Sequence, residues 1–148
     1  MFRIKELTPR FLPQVIEIEK ACFSDPWSYE AMIQELALPY TAYFMAQKEE
    51  CLAGYAGVQV ILDEGYITNI AVANDFRRQG VGRKLLEALI AFCGGKGCRL
   101  VTLEVREHNI AAIRLYEGLG FCKAGLRRNF YSKPMENAWI MTLYLKEE

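Results

Sequence analysis

The sequence predicts an α/β fold of the α+β kind, a central mixed, mostly antiparallel sheet of about seven strands flanked by four helices. Three features point there. Between Thr41 and Val72, three runs rich in apolar, β-branched and aromatic residues follow one another with only short polar turns between them, so neighbours pair antiparallel. A helix-period run, Val81 to Cys93, then separates the third of these strands from the apolar Leu100 to Val105. A strand–helix–strand unit of that size forms a right-handed crossover, which makes its two strands parallel. Strand-like segments at the start and end of the chain complete the sheet.

In order, Phe2 to Leu7 alternates as a strand does. Thr8 to Phe23 reads as a helix, with Pro9 and Pro13 in the first turn and Val15, Ile18 and Cys22 in one apolar row. After the turn Phe23-Ser24-Asp25-Pro26-Trp27, Ser28 has the chemistry of an N-cap for a second helix, which buries Met32, Ile33 and Leu36 and ends before Pro39. The meander runs Thr41 to Gln47, Cys51 to Leu62 and Tyr66 to Val72, turning at Lys48-Glu49-Glu50 and Asp63-Glu64-Gly65. Gly94-Gly95-Lys96-Gly97 ends the Val81 helix as a C-cap rather than a phosphate loop. Leu100 to Val105 is apolar nearly throughout, as expected of a strand covered on both faces. Asn109 caps a short helix that runs to Leu119 and ends at Gly120. Strands at Phe121 to Phe130 and Ala138 to Lys146, joined by Tyr131 to Asn137, close a single domain over residues 1–148.

Composition narrows the class. With 52% apolar and 24% charged residues the chain has the balance of a soluble globular protein, and no apolar run reaches the roughly 18 residues a membrane span needs. The N-terminus lacks a signal peptide's apolar core, so a cytoplasmic protein is expected. The five cysteines form no Cys-x-x-Cys pair; they read as small buried hydrophobes, with neither a metal site nor a disulfide framework. Net charge is zero, yet residues 1–64 carry five Lys/Arg against ten Asp/Glu and residues 65–148 thirteen against eight. Such an asymmetry suits a polyanionic cofactor on the second half and a cationic amine approaching the first. Without a long basic stripe interleaved with aromatics, nucleic acid is disfavoured as a partner.

The loop between Val72 and the Val81 helix, Arg77-Arg78-Gln79-Gly80-Val81-Gly82-Arg83-Lys84, is basic and glycine-bearing. It opens a helix, whose first N–H groups have no partner inside it and whose dipole favours an anion. Gly80 and Gly82 leave room for an oxyanion to approach those donors, which predicts a phosphate cradle. A P-loop is ruled out because Gly82 is followed by Arg-Lys-Leu with no hydroxyl for magnesium, and the dinucleotide fingerprint because Leu85 stands where a third glycine belongs. What remains, Arg77-x-x-Gly80-x-Gly82 at a strand-to-helix junction, resembles the pyrophosphate motif of the GCN5-related N-acetyltransferases, the GNAT superfamily. Asn69-Ile70-Ala71-Val72, Leu103-Glu104-Val105-Arg106, Asn109-x-x-Ala112-Ile113-x-Leu115-Tyr116-Glu117 and Gly120-Phe121 carry the same resemblance over essentially the whole chain. Asp25-Pro26-Trp27-Ser28 and Arg127-Arg128-Asn129-Phe130-Tyr131 are similar to the RimI-type branch, which acetylates ribosomal-protein N-terminal alanine.

From the residues alone, Glu104 ends a strand otherwise fit for burial, so it is paired with Arg99, Arg106 or Arg114 or it does chemistry. Asn109 and Tyr116 share one helix face two turns apart; Asn109 is a cap, a cofactor contact or both, and Tyr116 is core or an acid. His108 reads as a loop residue. The resemblance implies acetyl-CoA as cosubstrate with no metal, held by Arg78, Gln79, Gly80, Val81, Gly82 and Arg83 at the pyrophosphate, by the backbone of Ile70, Ala71 and Val72 on a splayed parallel strand pair, and by Asn109. It implies Glu104 as general base and Tyr116 as acid to the departing thiolate, with Trp27 and Tyr131 toward the acceptor, a protein or peptide N-terminus. A lysine side chain, a polyamine or an aminoglycoside remain as acceptors, and a non-catalytic CoA-sensing module as the other class. Neutralising an α-ammonium of pKa near 8 at pH 7 costs about 1.4 kcal/mol against about 4.6 for lysine, which favours the N-terminus for a single glutamate base.

Overall fold

The computed structural model describes residues 1–145. Its strands are β1 (Arg3–Glu6), β2 (Thr41–Lys48), β3 (Cys51–Ile61), β4 (Glu64–Val72), β5 (Leu100–Arg106), β6 (Cys122–Ser132) and β7 (Met135–Tyr144); its α-helices are α1 (Leu12–Cys22), α2 (Tyr29–Leu36), α3 (Val81–Gly95) and α4 (Ile110–Gly118). One seven-stranded sheet has the order β1-β2-β3-β4-β5-β7-β6. Every neighbouring pair is antiparallel except β4 and β5, as the meander and the crossover require. No helix among the described residues is long and apolar enough to cross a membrane.

The sheet separates two cores. Alternation along β2 sends Tyr43 and Met45 to the side of α1 and α2, and Ala42, Phe44 and Ala46 to the side of α3 and α4. On the first side lie Leu12, Val15, Met32 and Tyr55; on the second, Leu85, Leu89, Ile113 and Phe121. Burying each such side chain contributes about 1.5–3 kcal/mol, and this holds both layers to the sheet.

Several boundaries differ from the sequence expectation, each for a local reason. The first helix splits into a 3₁₀ turn, Pro9–Phe11, followed by α1, because Pro13 has no N–H to donate to the carbonyl four residues back. The β3–β4 turn is Leu62-Asp63, with Leu62 at φ 57°, so the strand starts at Glu64 rather than Tyr66. Tyr131 and Ser132 belong to β6 and Met135 to Asn137 to β7, leaving Lys133-Pro134 as the turn. The β6 ladder absorbs the surplus in a wide bulge, where Asn129 takes φ 55° and donates its N–H to Asn137 Oδ1 at 2.9 Å. The last strand ends at Tyr144, and Lys146 of its predicted span lies outside the described residues. Of the cysteines, only Cys93 and Cys98 are buried; Cys22 is half-buried, and Cys51 and Cys122 are exposed.

Candidate active site

The site begins where the parallel pair comes apart. β4 and β5 pair from Glu64↔Leu100 to Tyr66↔Thr102 and, among the described residues, no further, although β4 continues to Val72 and β5 to Arg106. A bulge lies beside the point of separation. Register against β3 passes from Gly57↔Asn69 to Val58↔Ile67, so Thr68 is an extra residue on β4 and bends the strand there. The gap is a cleft of about 570 Å³ between Ile67–Ile70 of β4 and Leu103–Arg106 of β5. Its remaining walls come from α1, the α1–α2 loop, α4 and the β6–β7 turn, which bring Glu19, Trp27, Asn109, Tyr116 and Tyr131 to it.

β5 is therefore not covered on both faces. Val101, Leu103 and Val105 are buried in the α3–α4 core, while Thr102 and Glu104 are half-buried on the opposite face. The Glu104 side chain is 9% exposed, and its partner is Arg127 of β6, Nε to Oε2 at 3.4 Å, rather than Arg99, Arg106 or Arg114. Glu104 Oε1 also accepts the Tyr66 hydroxyl. Burial first, and then that carboxylate, pushes the Tyr66 phenol up, so it stays protonated and donates. Tyr116 is buried on α4 with its ring against Phe121, and burial pushes its hydroxyl up to about 12. A phenol with that value holds its proton at neutral pH and is present there as a donor. Asn109 caps α4, its Oδ1 accepting from the Ala112 N–H at 3.2 Å, and it lines the cleft as well.

Two loops meet over the mouth. Ser24 Oγ donates to the Lys133 carbonyl at 2.6 Å, while Arg106 donates to the carbonyls of Lys133 and Pro134 at 3.1 and 3.0 Å and pairs with Glu136 at 3.2 Å. Tyr131 stacks under the Arg106 guanidinium, 4.2 Å from ring centroid to Cζ. Its hydroxyl reaches about 12 through burial, with Arg106 opposing and Glu104 and Glu136 adding. Trp27 both packs on the α1–α2 core and lines the cleft. His108 is an exposed loop residue whose Nδ1 meets Glu136 at 3.0 Å.

Beyond the cleft, the end of β4 and the start of α3 form the basic loop. The Ala73 N–H donates to Ala53 at 2.8 Å, and alternation therefore turns the Ile70 and Val72 N–H groups away from β3, toward the opening. Ala71 between them is buried. Arg78 at φ 63° and Gly80 at φ 80° curl the backbone, and Gly80 has no atom within 4 Å of where a Cβ would be. Among the described residues no side chain caps α3, and its first internal bond is Lys84 N–H to Gly80 at 3.1 Å. That leaves the N–H groups of Val81, Gly82 and Arg83 to a ligand or to water, which fits a polyphosphate. Not every predicted side chain faces that space. Gln79 braces the loop on the Asp75 carbonyl at 3.3 Å, and Arg83 pairs along the helix with Glu87 at 3.5 Å.

The sequence reading missed Tyr66 and Glu19 as site residues, and the anchoring contacts of Arg77. Arg77 ties this loop to α1, donating to the Val72 carbonyl and to Cys22 Sγ, each at 3.3 Å; Cys22 is 55 residues away in sequence. Tyr66 is the donor to Glu104. Glu19 lies in the cleft wall and is 1% exposed. One signal for Glu19 was available, a carboxylate four residues after Val15 and three before Cys22, inside the apolar row.

Residues 12–121 match the acetyltransferase (GNAT) family. The chain is 41% identical over 145 residues to the [ribosomal protein bS18]-alanine N-acetyltransferase of Escherichia coli strain K12, spanning 97% of each chain. It superposes on the crystal structure of the ribosomal-protein-S18-alanine N-acetyltransferase from Escherichia coli with a TM-score of 0.91 at 39% identity, over 100% of this chain and 96% of that one. Arabidopsis thaliana NAA60 in complex with acetyl-CoA has the same fold, with a TM-score of 0.88 at 19% identity over 98% of this chain and 100% of that one.

Proposed function

The chain belongs to the acetyltransferase (GNAT) family and is an acyltransferase, and from that premise we propose that it moves the acetyl group of acetyl-CoA to the N-terminal α-amine of a protein, the N-terminal alanine of a small-subunit ribosomal protein being the acceptor. The observation that carries the proposal is one cleft at the strand splay, with Glu104, Tyr116 and Asn109 in its walls, beside a helix start whose N–H groups are unspent. The relatives' names supply the acceptor class.

Acetyl-CoA supplies a thioester already activated toward amines. The backbone N–H groups from Val81 to Arg83, with the Arg78 guanidinium, hold the diphosphate, at about 1.5–3 kcal/mol for each charge-assisted bond. The N–H groups of Ile70 and Val72 orient the acetyl carbonyl and the pantetheine arm, and Asn109 contacts that arm. Glu104 takes a proton from the attacking amine, and Arg127 and the Tyr66 hydroxyl fix its two oxygens for the task. Tyr116 returns a proton to the departing sulfur. Trp27 and Tyr131 form the acceptor wall.

A thiol-release assay over N-terminal peptides, lysine peptides, polyamines and aminoglycosides tests this. Alanine-started peptides are expected to turn over best. Glu104→Gln is expected to lose about 10²-fold in kcat with unchanged affinity for the cosubstrate. Preference for a side-chain or polyamine nitrogen would overturn the acceptor, and an undiminished Glu104→Gln rate would overturn the base.

A further inference from the structure

Glu19 sits on the buried stripe of α1, among Leu12, Val15 and Ile18, where an apolar side chain is the expected occupant. Its neighbour Glu17 is exposed. One carboxylate oxygen is spoken for, since Oε1 accepts the Trp27 N–H at 2.9 Å. The other, Oε2, is buried with no hydrogen-bond partner among the described residues, and so is Asn69 Nδ2 on the facing strand. Both residues line the cleft, and no ion pair among the described residues includes Glu19. Across the cleft, Glu104 already has Tyr66 and Arg127 on its two oxygens.

A buried carboxylate with an idle oxygen is costly unless a cation or donor meets it. Here no cation among the described residues pairs with Glu19, the neutral Asn69 carboxamide being the donor beside it apart from Trp27, and Glu19 lines the cleft wall. Resting on the acceptor reading above, we propose that Glu19 is the ammonium-receiving carboxylate of the site: its Oε2 pairs with the incoming R–NH3+ and accepts one proton from it, leaving R–NH2 and a neutral Glu19 carboxyl. Acylating an ammonium removes two protons from nitrogen, one before attack and one as the amide forms. The two carboxylates divide them, Glu19 taking the first and Glu104 the second; the Glu19 proton then leaves to solvent, and the Glu104 proton makes good the one Tyr116 gives to the departing sulfur.

The electrostatics agree. Burial raises the Glu19 carboxyl above its ordinary value against the pull of the Trp27 N–H and the Asn69 carboxamide, and in a desolvated site a neutral acid–amine pair is preferred to an ion pair. The titratable and charged groups around it are Cys22 on α1, Asp25 on the following loop, Tyr43 on β2, Glu104 and Arg106 on β5, Tyr116 on α4, Tyr131 on β6 and Lys133 on the turn. Burial holds Tyr43 and Tyr116 neutral.

The test is Glu19→Gln, whose amide oxygen still accepts the Trp27 N–H. At pH 7 its kcat/KM for an alanine-started peptide is expected to fall roughly 10- to 100-fold, with KM for acetyl-CoA and the melting midpoint unchanged. Above about pH 8 the peptide amine arrives neutral, so the deficit is expected to shrink toward wild type; Glu17→Gln shows no deficit at any pH. A deficit constant with pH, or none at all, overturns the proposal. On the wild-type protein, NMR resonances of the Trp27 amide and the Asn69 carboxamide are expected to shift with the peptide but not with its isostere carrying hydroxyl in place of the amine. Equal shifts, or none, overturn it even if the variant fails to fold. Failure of the acceptor assignment reads differently, because the wild type would then prefer another amine, on which the same pH comparison is made.

Discussion

The basic loop and the cleft, neighbours in the fold, solve opposite electrostatic problems. The loop is exposed, contiguous in sequence from Val72 to Arg83, and offers positive charge and free N–H groups to a ligand that is itself hydrated. The cleft collects side chains from β4, β5, α1, α4 and the β6–β7 turn, takes Glu19 and Glu104 largely out of solvent, and meets Glu104 with donors from distant parts of the chain. A binding determinant in water needs only local geometry and charge. A proton-transfer site needs its groups desolvated and aimed, which no single segment can do alone.

Three substitutions separate the two regions, and the largest effect belongs to the cleft. Tyr116→Phe is expected to lower kcat by about 10²-fold or more with little change in either KM, because the acid acts in the transition state. Its hydroxyl stays protonated to about pH 12, so the wild-type rate is expected to show no alkaline fall from Tyr116 below about pH 11. A fall at pH 9 that Tyr116→Phe abolishes would contradict the assignment. Rate–pH profiles of both proteins decide it.

In the loop, Arg78→Ala is expected to raise KM for acetyl-CoA roughly tenfold or more while leaving kcat at saturation unchanged. Added salt is expected to narrow the gap between variant and wild type, since an exposed charge is screened within about 8–10 Å at moderate ionic strength. A kcat effect that salt does not touch would erase the distinction between the regions.

The smallest effect is at the rim. Glu136 accepts the His108 N–H and holds Arg106 and His108, and the His108 backbone donor, with Arg106 assisting, lowers its carboxyl from the ordinary 4.5. A lowered folded value means stability present above that ordinary value and lost as pH falls through the folded one. Glu136→Gln is therefore expected to lower the melting midpoint slightly at pH 7, with the gap to wild type closing on acidification below the usual carboxylate range. Thermal melts at the two pH values check the sign.

The same contrast explains what was legible beforehand. The meander, the crossover and the Ser28 and Asn109 caps were readable because each rests on periodicity or on residues within a few positions of one another. Glu104 and Tyr116 were readable as candidates, a carboxylate on an apolar strand and a phenol on a helix face. Their partners were not. Arg127 rather than a nearer arginine pairs Glu104, Tyr66 becomes its donor, and Glu19 lines a wall 85 residues away in sequence from it.

The sequence by itself determined the elements, their order and the basic, glycine-bearing bend at the start of α3, because hydrogen-bond periodicity and backbone freedom act over a few residues. Only the tertiary structure decided that β4 and β5 part after Tyr66 and Thr102, which residues wall the gap, and which carboxylate oxygen is left without a partner. Those outcomes depend on the Thr68 bulge and on packing between segments far apart in the chain, where desolvation and pairing are set by neighbours that local sequence does not specify.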